Sequence, residues 1–257
     1  MFKVNNLSCG YKNKIILQDV SFTAQAGDIV CILGKNGSGK STLIKTIVGL
    51  IDPIKGEMLV NNEDIKSWPW SKKAKVISYI PQTFSSMFQY KGIDIVLMGR
   101  TSYISFSSSP SNIDEEIGIE AMRKLNILHL KDRIYSQMSG GERQLVKIAQ
   151  ALTQQSKIII MDEPTNNLDF GNQGTMLNYL KKCADMGITI IMATHFPEQA
   201  LTYGTKALLV NNSRVVEIED PNKNLTESKL QDLYDVEVKL VEVNVQNIKR
   251  KLCFTLT

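Results

Sequence analysis

The sequence predicts an α/β protein built on a mostly parallel β-sheet, and three observations carry that expectation. Short segments at 28–33, 157–161 and 189–193, each an unbroken apolar run after its first residue, read as strands buried on both faces. Stretches with apolar residues at helical spacing, around 43–48, 145–152 and 176–183, lie between them, which is the βαβ alternation of a parallel sheet. The chain has 257 residues, 43% apolar and 22% charged, so it can bury a sizeable core without disulfides or a structural metal.

Taken in order, segments 2–7 and 15–22 are β-type and broken by a turn signal at Gly10 and Tyr11, so they read as antiparallel strands. The apolar strand 28–33 follows. A glycine-rich loop leads from it into Leu43, Ile44, Ile47 and Val48 at helical spacing, ahead of Gly49 and Pro53. From 56 to 79 the chain is β-like and basic, and residues 85–112, aromatic and serine-rich, read as a surface segment. A helix begins near Asn112, where Asp114, Glu115 and Glu116 complement the positive end of its dipole and Met122, Leu125 and Leu128 give it a buried face. Another follows Gly141, with Leu145, Ile148, Ala149 and Leu152 on one side. Beyond 211, Val215, Val216 and the run EVKLVEVNV read as strands or a small appended lobe, with no chemistry evident there.

The charge balance, 30 basic against 26 acidic residues, leaves +4. Such weak basicity does not advertise the phosphate-tracking stripe of a nucleic-acid binder, so no nucleic-acid partner is expected. No apolar run approaches the roughly 20 residues of a spanning helix, and the first residues lack the pattern of a secretory signal, so an intracellular chain is expected. Cys9, Cys31, Cys183 and Cys253 form no CxxC pair and only His129 and His195 could join them, which favours free thiols over a metal site. His129, near a predicted helix end, receives no function. Lys72, Lys73 and Lys75 read as a solvated face, and Trp68 and Trp70 either pack on a surface loop or meet a partner.

The chemistry begins at Gly34-Lys35-Asn36-Gly37-Ser38-Gly39-Lys40-Ser41-Thr42, which fits G-x-x-x-x-G-K-[ST] between a strand and a helix. Glycines there let backbone N–H groups turn onto phosphate oxygens, Lys40 brings a charge to the β and γ phosphates, and Ser41 can ligate Mg²⁺. The following helix aims its N-terminus at the anion. Asp162 and Glu163 end an apolar strand. Asp162 can orient the water shell of Mg²⁺, and Glu163 can polarise an attacking water. Ser139, Gly140, Gly141 and Glu142 open a further helix as a second anion-seeking N-terminus, although the phosphate loop already serves one nucleotide, so a second nucleotide is implied.

With these motifs the chain resembles the ATP-binding cassette (ABC) ATPases of membrane transporters, whose signature is LSGGQ where this sequence has MSGGERQ at 138–144. The resemblance spans nearly the whole chain, with six elements in the family's order. It implies a P-loop NTPase (RecA-like) core at about 28–53, 76–82 and 154–210. An antiparallel β subdomain would occupy about 1–27 and 54–75, a helical subdomain about 83–153 and a tail about 211–257. It also implies that Tyr11 stacks on adenine, that Gln82 in YIPQ senses Mg²⁺ and the attacking water, that Asp169 belongs to the loop after the acidic pair, and that His195 in MATHF contacts the γ phosphate. Two departures stand out: Met138 for leucine conserves volume, while Glu142 for glutamine puts negative charge near a polyphosphate. Asn166 and Asn167 replace the common Ser-Ala before Leu168 and Asp169.

The expected activity is ATP hydrolysis with Mg²⁺ by a head-to-tail homodimer, each nucleotide lying between the phosphate loop of one copy and Ser139 to Gly141 of the other. The run DIVLMGR at 94–100 resembles the importer ATPases for metal chelates, vitamin B12, haem and oxyanions such as molybdate. The partner implied is a membrane permease, itself a dimer, with a substrate-binding protein acting indirectly, so the chain is expected at the cytoplasmic face of the membrane. Residues 83–108, with Phe84, Met87, Phe88 and Tyr90, would dock a permease helix or else pack the helical lobe internally. An exporter ATPase, or an ABC ATPase acting on DNA or ribosomes, stays open as an alternative. For the DNA-acting kind, the sequence lacks sustained heptads between phosphate loop and signature.

Overall fold

The structure, a computed structural model, describes residues 1–12, 14–82, 88–105, 108–166, 168–245 and 248–256. Strands β1 (Phe2–Tyr11) and β2 (Lys14–Ala24) pair antiparallel, and β4 (Lys55–Val60) and β5 (Glu63–Asp64) extend their sheet on the β1 side in the order β2-β1-β4-β5. The second sheet runs β10-β9-β3-β8-β7-β6. In it β3 (Ile29–Leu33), β6 (Ile77–Ile80), β7 (Ile158–Asp162), β8 (Thr189–Thr194) and β9 (Lys206–Asn211) are parallel, while β10 (Arg214–Glu219) closes one edge antiparallel to β9.

The continuous apolar strands have the physical cause that the sequence suggests. Along β3, Ile29, Cys31 and Leu33 point into one core cluster, which includes residues of the helices, whereas Val30 and Ile32 point into another shared with the antiparallel sheet. Both faces are covered, so no polar alternation is possible. Helix α1 (Lys40–Val48) buries Leu43, Ile44 and Ile47 against the second cluster and ends at Gly49, in the left-handed conformation that closes many helices.

Three sequence expectations need correction. Within the basic stretch 56–79, Trp70–Ala74 forms a short helix, α2, rather than strand. Lys73 in it is buried, with its ammonium 5.0 Å from the Trp70 ring, so the lysine trio is not simply a solvated face. Within 85–112, α3 (Gly92–Leu97) buries Ile93, Ile95 and Val96, so this part is core and not surface. The serine-rich composition around it hid a six-residue apolar turn whose first-turn Asp94 accepts from the Lys91 N–H at 2.8 Å.

Helix α4 (Asn112–Lys124) starts at a capping box of Ser111 and Asp114, and α5 (Gly140–Thr153) at one of Ser139 and Glu142. A buried ion pair joins these helices: Arg100 Nε donates to Asp114 Oδ1 at 2.8 Å, and Arg100 Nη1 donates to the Thr153 carbonyl at 3.1 Å. Helices α6 (Phe170–Asp185) and α7 (Pro197–Tyr203) follow β7 and β8. After β10 come α8 (Pro221–Asn224), α9 (Glu227–Tyr234) and a hairpin of β11 (Val238–Val245) and β12 (Ile248–Thr255). Val215 and Val216 thus lie in the main sheet, and only the hairpin forms a sheet of its own. The described cysteines are all unpaired, and among the described residues no helix is long and apolar enough to cross a membrane.

Candidate functional site

Register brings the chemistry together. Leu33 pairs with Thr194, and Asp162 with Ala193, so β3, β7 and β8 end at one level and their following loops meet there. Gly34 begins the loop after β3, Glu163 follows β7, and His195 follows β8. This is the carboxyl edge of a parallel sheet, where such folds place their ligands.

The loop itself is shaped by tight packing. Gly39 sits at φ 111°, and a Cβ there would come within 2.8 Å of Ile16 Cγ2 on β2, so both conformation and space demand glycine. The buried Lys40 turns back over the loop, donating to the Gly34 carbonyl at 2.8 Å and the Lys35 carbonyl at 3.0 Å. Its Nζ lies 3.7 Å from Glu163 Oε1. Burial pushes the Lys40 ammonium below the ordinary lysine range, while Glu163 and Asp162 pull it back. Ser38 Oγ is buried without a hydrogen-bond partner among the described residues, as a donor awaiting an anion would be. Lys35, Asn36 and Gly37 form the outer side of the loop, and Thr42 is buried in the first turn of α1.

Ser41 Oγ donates to Asp162 Oδ1 at 3.1 Å. Burial pushes the Asp162 carboxyl above the usual aspartate range, and the Ser41 hydroxyl partly offsets this. Among the described residues no cluster of three His, Cys, Asp or Glu could hold a metal, but Mg²⁺ needs none, since one or two carboxylates plus the phosphates of a nucleotide suffice. Ser41, Asp162 and the amide of Gln82 supply hard oxygen donors of the fitting kind.

Glu163 adopts φ 49°, a left-handed conformation that costs a non-glycine residue about 1 kcal/mol or more, and its N–H is held by the Ala193 carbonyl at 3.1 Å. Its carboxylate is surrounded: Gln82 Nε2 donates to Oε2 at 3.1 Å, Asn166 Nδ2 donates to the same oxygen, and His195 Nδ1 lies 3.9 Å from Oε1. That ring nitrogen is buried and has no hydrogen-bond partner among the described residues. Asn166 was visible in the sequence only as a departure from Ser-Ala; its position three residues past Glu163 in a turn was the available signal. Asn167 lies outside the described residues.

The other predicted residues sit apart from this cluster. Tyr11, half exposed at the end of β1, pairs with Lys14 at the β1–β2 turn. Asp169 caps α6, accepting from the Asn172 N–H at 2.8 Å. Ser139, Gly140, Gly141 and Glu142 form the start of α5, and among the described residues none of their hydrogen bonds reaches the phosphate loop. A Cβ on Gly141 would fall 2.8 Å from Asn172 Cγ, so glycine lets this helix start press against the first turn of α6. The Glu142 charge is answered locally. Its carboxylate accepts from the Ser139 N–H at 2.7 Å and from Arg133 Nη1 at 2.6 Å, and these contacts hold it below the usual glutamate range. Arg133 was missed because it lies nine residues before Glu142, outside any helix repeat.

The family described as ABC transporter matches residues 17–166. The chain is similar to the molybdate import ATP-binding protein MolC of Haemophilus influenzae, with 37% identity over 81% of this chain and 78% of the relative. Among solved structures, it resembles one described as a metal-chelate type ABC transporter in an inward-facing conformation. The identity is 33% and the TM-score 0.89, over 100% of this chain and 97% of that one. It also resembles a dimeric ATP-binding cassette in a post-hydrolysis state bound to ADP and phosphate, with 25% identity and a TM-score of 0.73, over 86% of this chain and 99% of that one. The chain belongs to the ABC transporter family and is one of its ATP-hydrolysing, ATP-binding proteins.

Proposed function

We propose that this chain powers import, hydrolysing ATP as a head-to-tail homodimer on the cytoplasmic side of a dimeric membrane permease, for a metal chelate, a cobalamin-like compound or an oxyanion such as molybdate. The observation that supports the reading is the pairing of the cluster around Lys40 and Glu163 with a second helix start at Ser139, none of whose hydrogen bonds among the described residues reaches the phosphate loop. The relatives' roles, molybdate import and metal-chelate transport, support the importer class.

In this reading the loop N–H groups and Lys40 hold the β and γ phosphates, Tyr11 stacks on adenine, and Ser139 to Gly141 of the second copy close over the nucleotide. Ser41, Asp162 directly or through water, and Gln82 would hold Mg²⁺, which when bound neutralises charge on the phosphate oxygens. Glu163 takes a proton from water as the water oxygen bonds to the γ phosphorus and ADP leaves. Gln82 and Asn166 fix the carboxylate that does so. His195 contacts the γ phosphate and positions it, since this reaction depends on in-line geometry and charge stabilisation more than on an additional base. Asp169 orders the loop between the two sites.

The permease would dock on α3. Phe88 is exposed, with its ring 5.8 Å from that of the half-buried Tyr90, and a cleft of about 520 Å³ opens beside Tyr90 between α3 and the residues Thr101, Ile104, Ser108 and Pro110. Leu97, Met98 and Ile104 line it, an apolar surface suited to a helix laid in a groove. Phe84 and Met87 lie outside the described residues. Replacing Phe88 and Tyr90 together by Ala is expected to lower permease copurification and uptake while leaving the ATPase of the isolated chain within about twofold, given that few anchors carry most of such binding. Unimpaired uptake would place the docking groove elsewhere, and loss of ATP binding would make these rings part of the core.

A further inference from the structure

The C-terminal segment shows no chemistry as sequence, yet it touches two of the loops that form the phosphate site. Tyr234, the last residue of α9, donates its hydroxyl to the backbone carbonyl of His195 at 3.2 Å. The next residue, Asp235, caps the helix in a left-handed conformation, φ 52°, and its carboxylate pairs with Lys35 of the phosphate loop. Lys35 follows β3 by two residues and His195 follows β8 directly, and those strands are neighbours. One helix end therefore spans the mouths of both.

The helix is seated firmly enough to act as a reference point. Leu230 and Leu233 are buried in the main core, Asn211 Nδ2 donates to the Asp232 carbonyl at 2.7 Å, and Glu227 accepts from the Leu240 N–H at 2.9 Å, which ties the terminal hairpin to it. Burial pushes the Tyr234 hydroxyl far up, so it stays protonated, and a donor, at neutral pH. By contrast, no hydrogen bond fixes the His195 ring at Nδ1, which has no partner among the described residues and lies 3.9 Å from Glu163 Oε1, and the ring packs on that of Phe196 with centroids 4.0 Å apart. The direction in which it points therefore depends on the backbone that carries both rings.

We infer that Tyr234 is a positioning residue for hydrolysis: by holding the His195 carbonyl from α9 it sets the backbone that aims the imidazole at the γ phosphate, making the C-terminal helix part of the ATPase machinery. This rests on the proposed role of His195 and extends it to a residue that never meets the nucleotide. The bland alternative is that a buried hydroxyl has merely found a carbonyl. The two differ in what removing the hydroxyl does to turnover, and in whether that effect needs the imidazole.

The test is a double-mutant cycle on the full chain with Mg-ATP, measuring kcat, KM and thermal midpoint for Tyr234→Phe, His195→Ala and both together. Tyr234→Phe keeps the ring and its packing. Losing one neutral hydrogen bond predicts a fall in kcat of about 3- to 10-fold, with KM for ATP changed less than twofold. In the His195→Ala background the same substitution is expected to have no further effect, because the side chain it would misplace is gone. Unchanged kcat in Tyr234→Phe, or losses that simply multiply in the double variant, overturns the positioning role alone. Wild-type turnover in His195→Ala overturns the role of His195, and the positioning role with it.

Discussion

The carboxyl edge of the parallel sheet and the start of α5 are both places where backbone N–H groups could meet phosphate, yet they are built in opposite ways. At the sheet edge, Lys40 and Asp162 are buried, that burial opposes their ionisation, and Glu163 sits in a left-handed conformation with its N–H on the Ala193 carbonyl of β8. At the start of α5, Ser139 and Glu142 satisfy one another and Arg133 answers the remaining charge, with no strain in their conformation. The first region stores cost in advance of a ligand, as sites that do chemistry often do. The second is relaxed, its capping bonds closed within its own chain. In the proposed reading the free N–H groups of Gly140 and Gly141 there complete the strained site of a second copy.

The sharpest way to break this contrast is at Glu163. Glu163→Gln is expected to keep nucleotide binding while turnover falls by roughly 10²- to 10⁴-fold, the range for loss of a general base, and the dimer should persist with ATP. Lys40→Ala should instead weaken binding and turnover together. Equilibrium nucleotide binding measured beside steady-state hydrolysis separates the two, and near-normal turnover in Glu163→Gln would move the base role to His195.

A smaller effect is expected where α5 is anchored at its far end. Asp114→Ala leaves the buried Arg100 guanidinium short of a partner, which costs about 3 kcal/mol and should lower the thermal midpoint by roughly 6–12 °C for a chain of this size. Two hydrogen bonds from Ser111 and the Arg100 guanidinium hold the Asp114 carboxyl down at about 2. A depressed carboxyl contributes its full stability above the ordinary value of about 3.9 and loses it as the pH falls towards 2. The wild-type chain should therefore lose stability between about pH 4 and pH 2, and the Asp114→Ala variant should lose less of it there. Equal acid sensitivity of the two would remove Asp114 from the account.

The contrast between regions also explains what could be read without a structure. The phosphate loop, the acidic pair after a buried strand and the Ser139 helix start are local patterns, in which neighbours in sequence fix the backbone and the side chain works close to where it is attached. The strand pattern carried the parallel sheet because burial on both faces leaves an unbroken apolar run. What stayed hidden depends on distant partners. Lys35 and Asp235 are 200 residues apart, and His195 and Tyr234 are 39 apart, with no shared motif. Lys73 reads as solvated until α2 folds it against Trp70, and α3 is too short to show a helical period within a serine-rich stretch.

The composite site is tested most directly by the dependence of hydrolysis on protein concentration, followed through the range in which sedimentation shows monomer giving way to dimer. A site shared between two copies predicts a rate that rises with the square of concentration below the dimerisation constant, becoming proportional above it. A rate strictly proportional to concentration across the monomeric range, with the same turnover per chain throughout, would contradict it and return the whole reaction to Lys40, Glu163 and their neighbours within one chain.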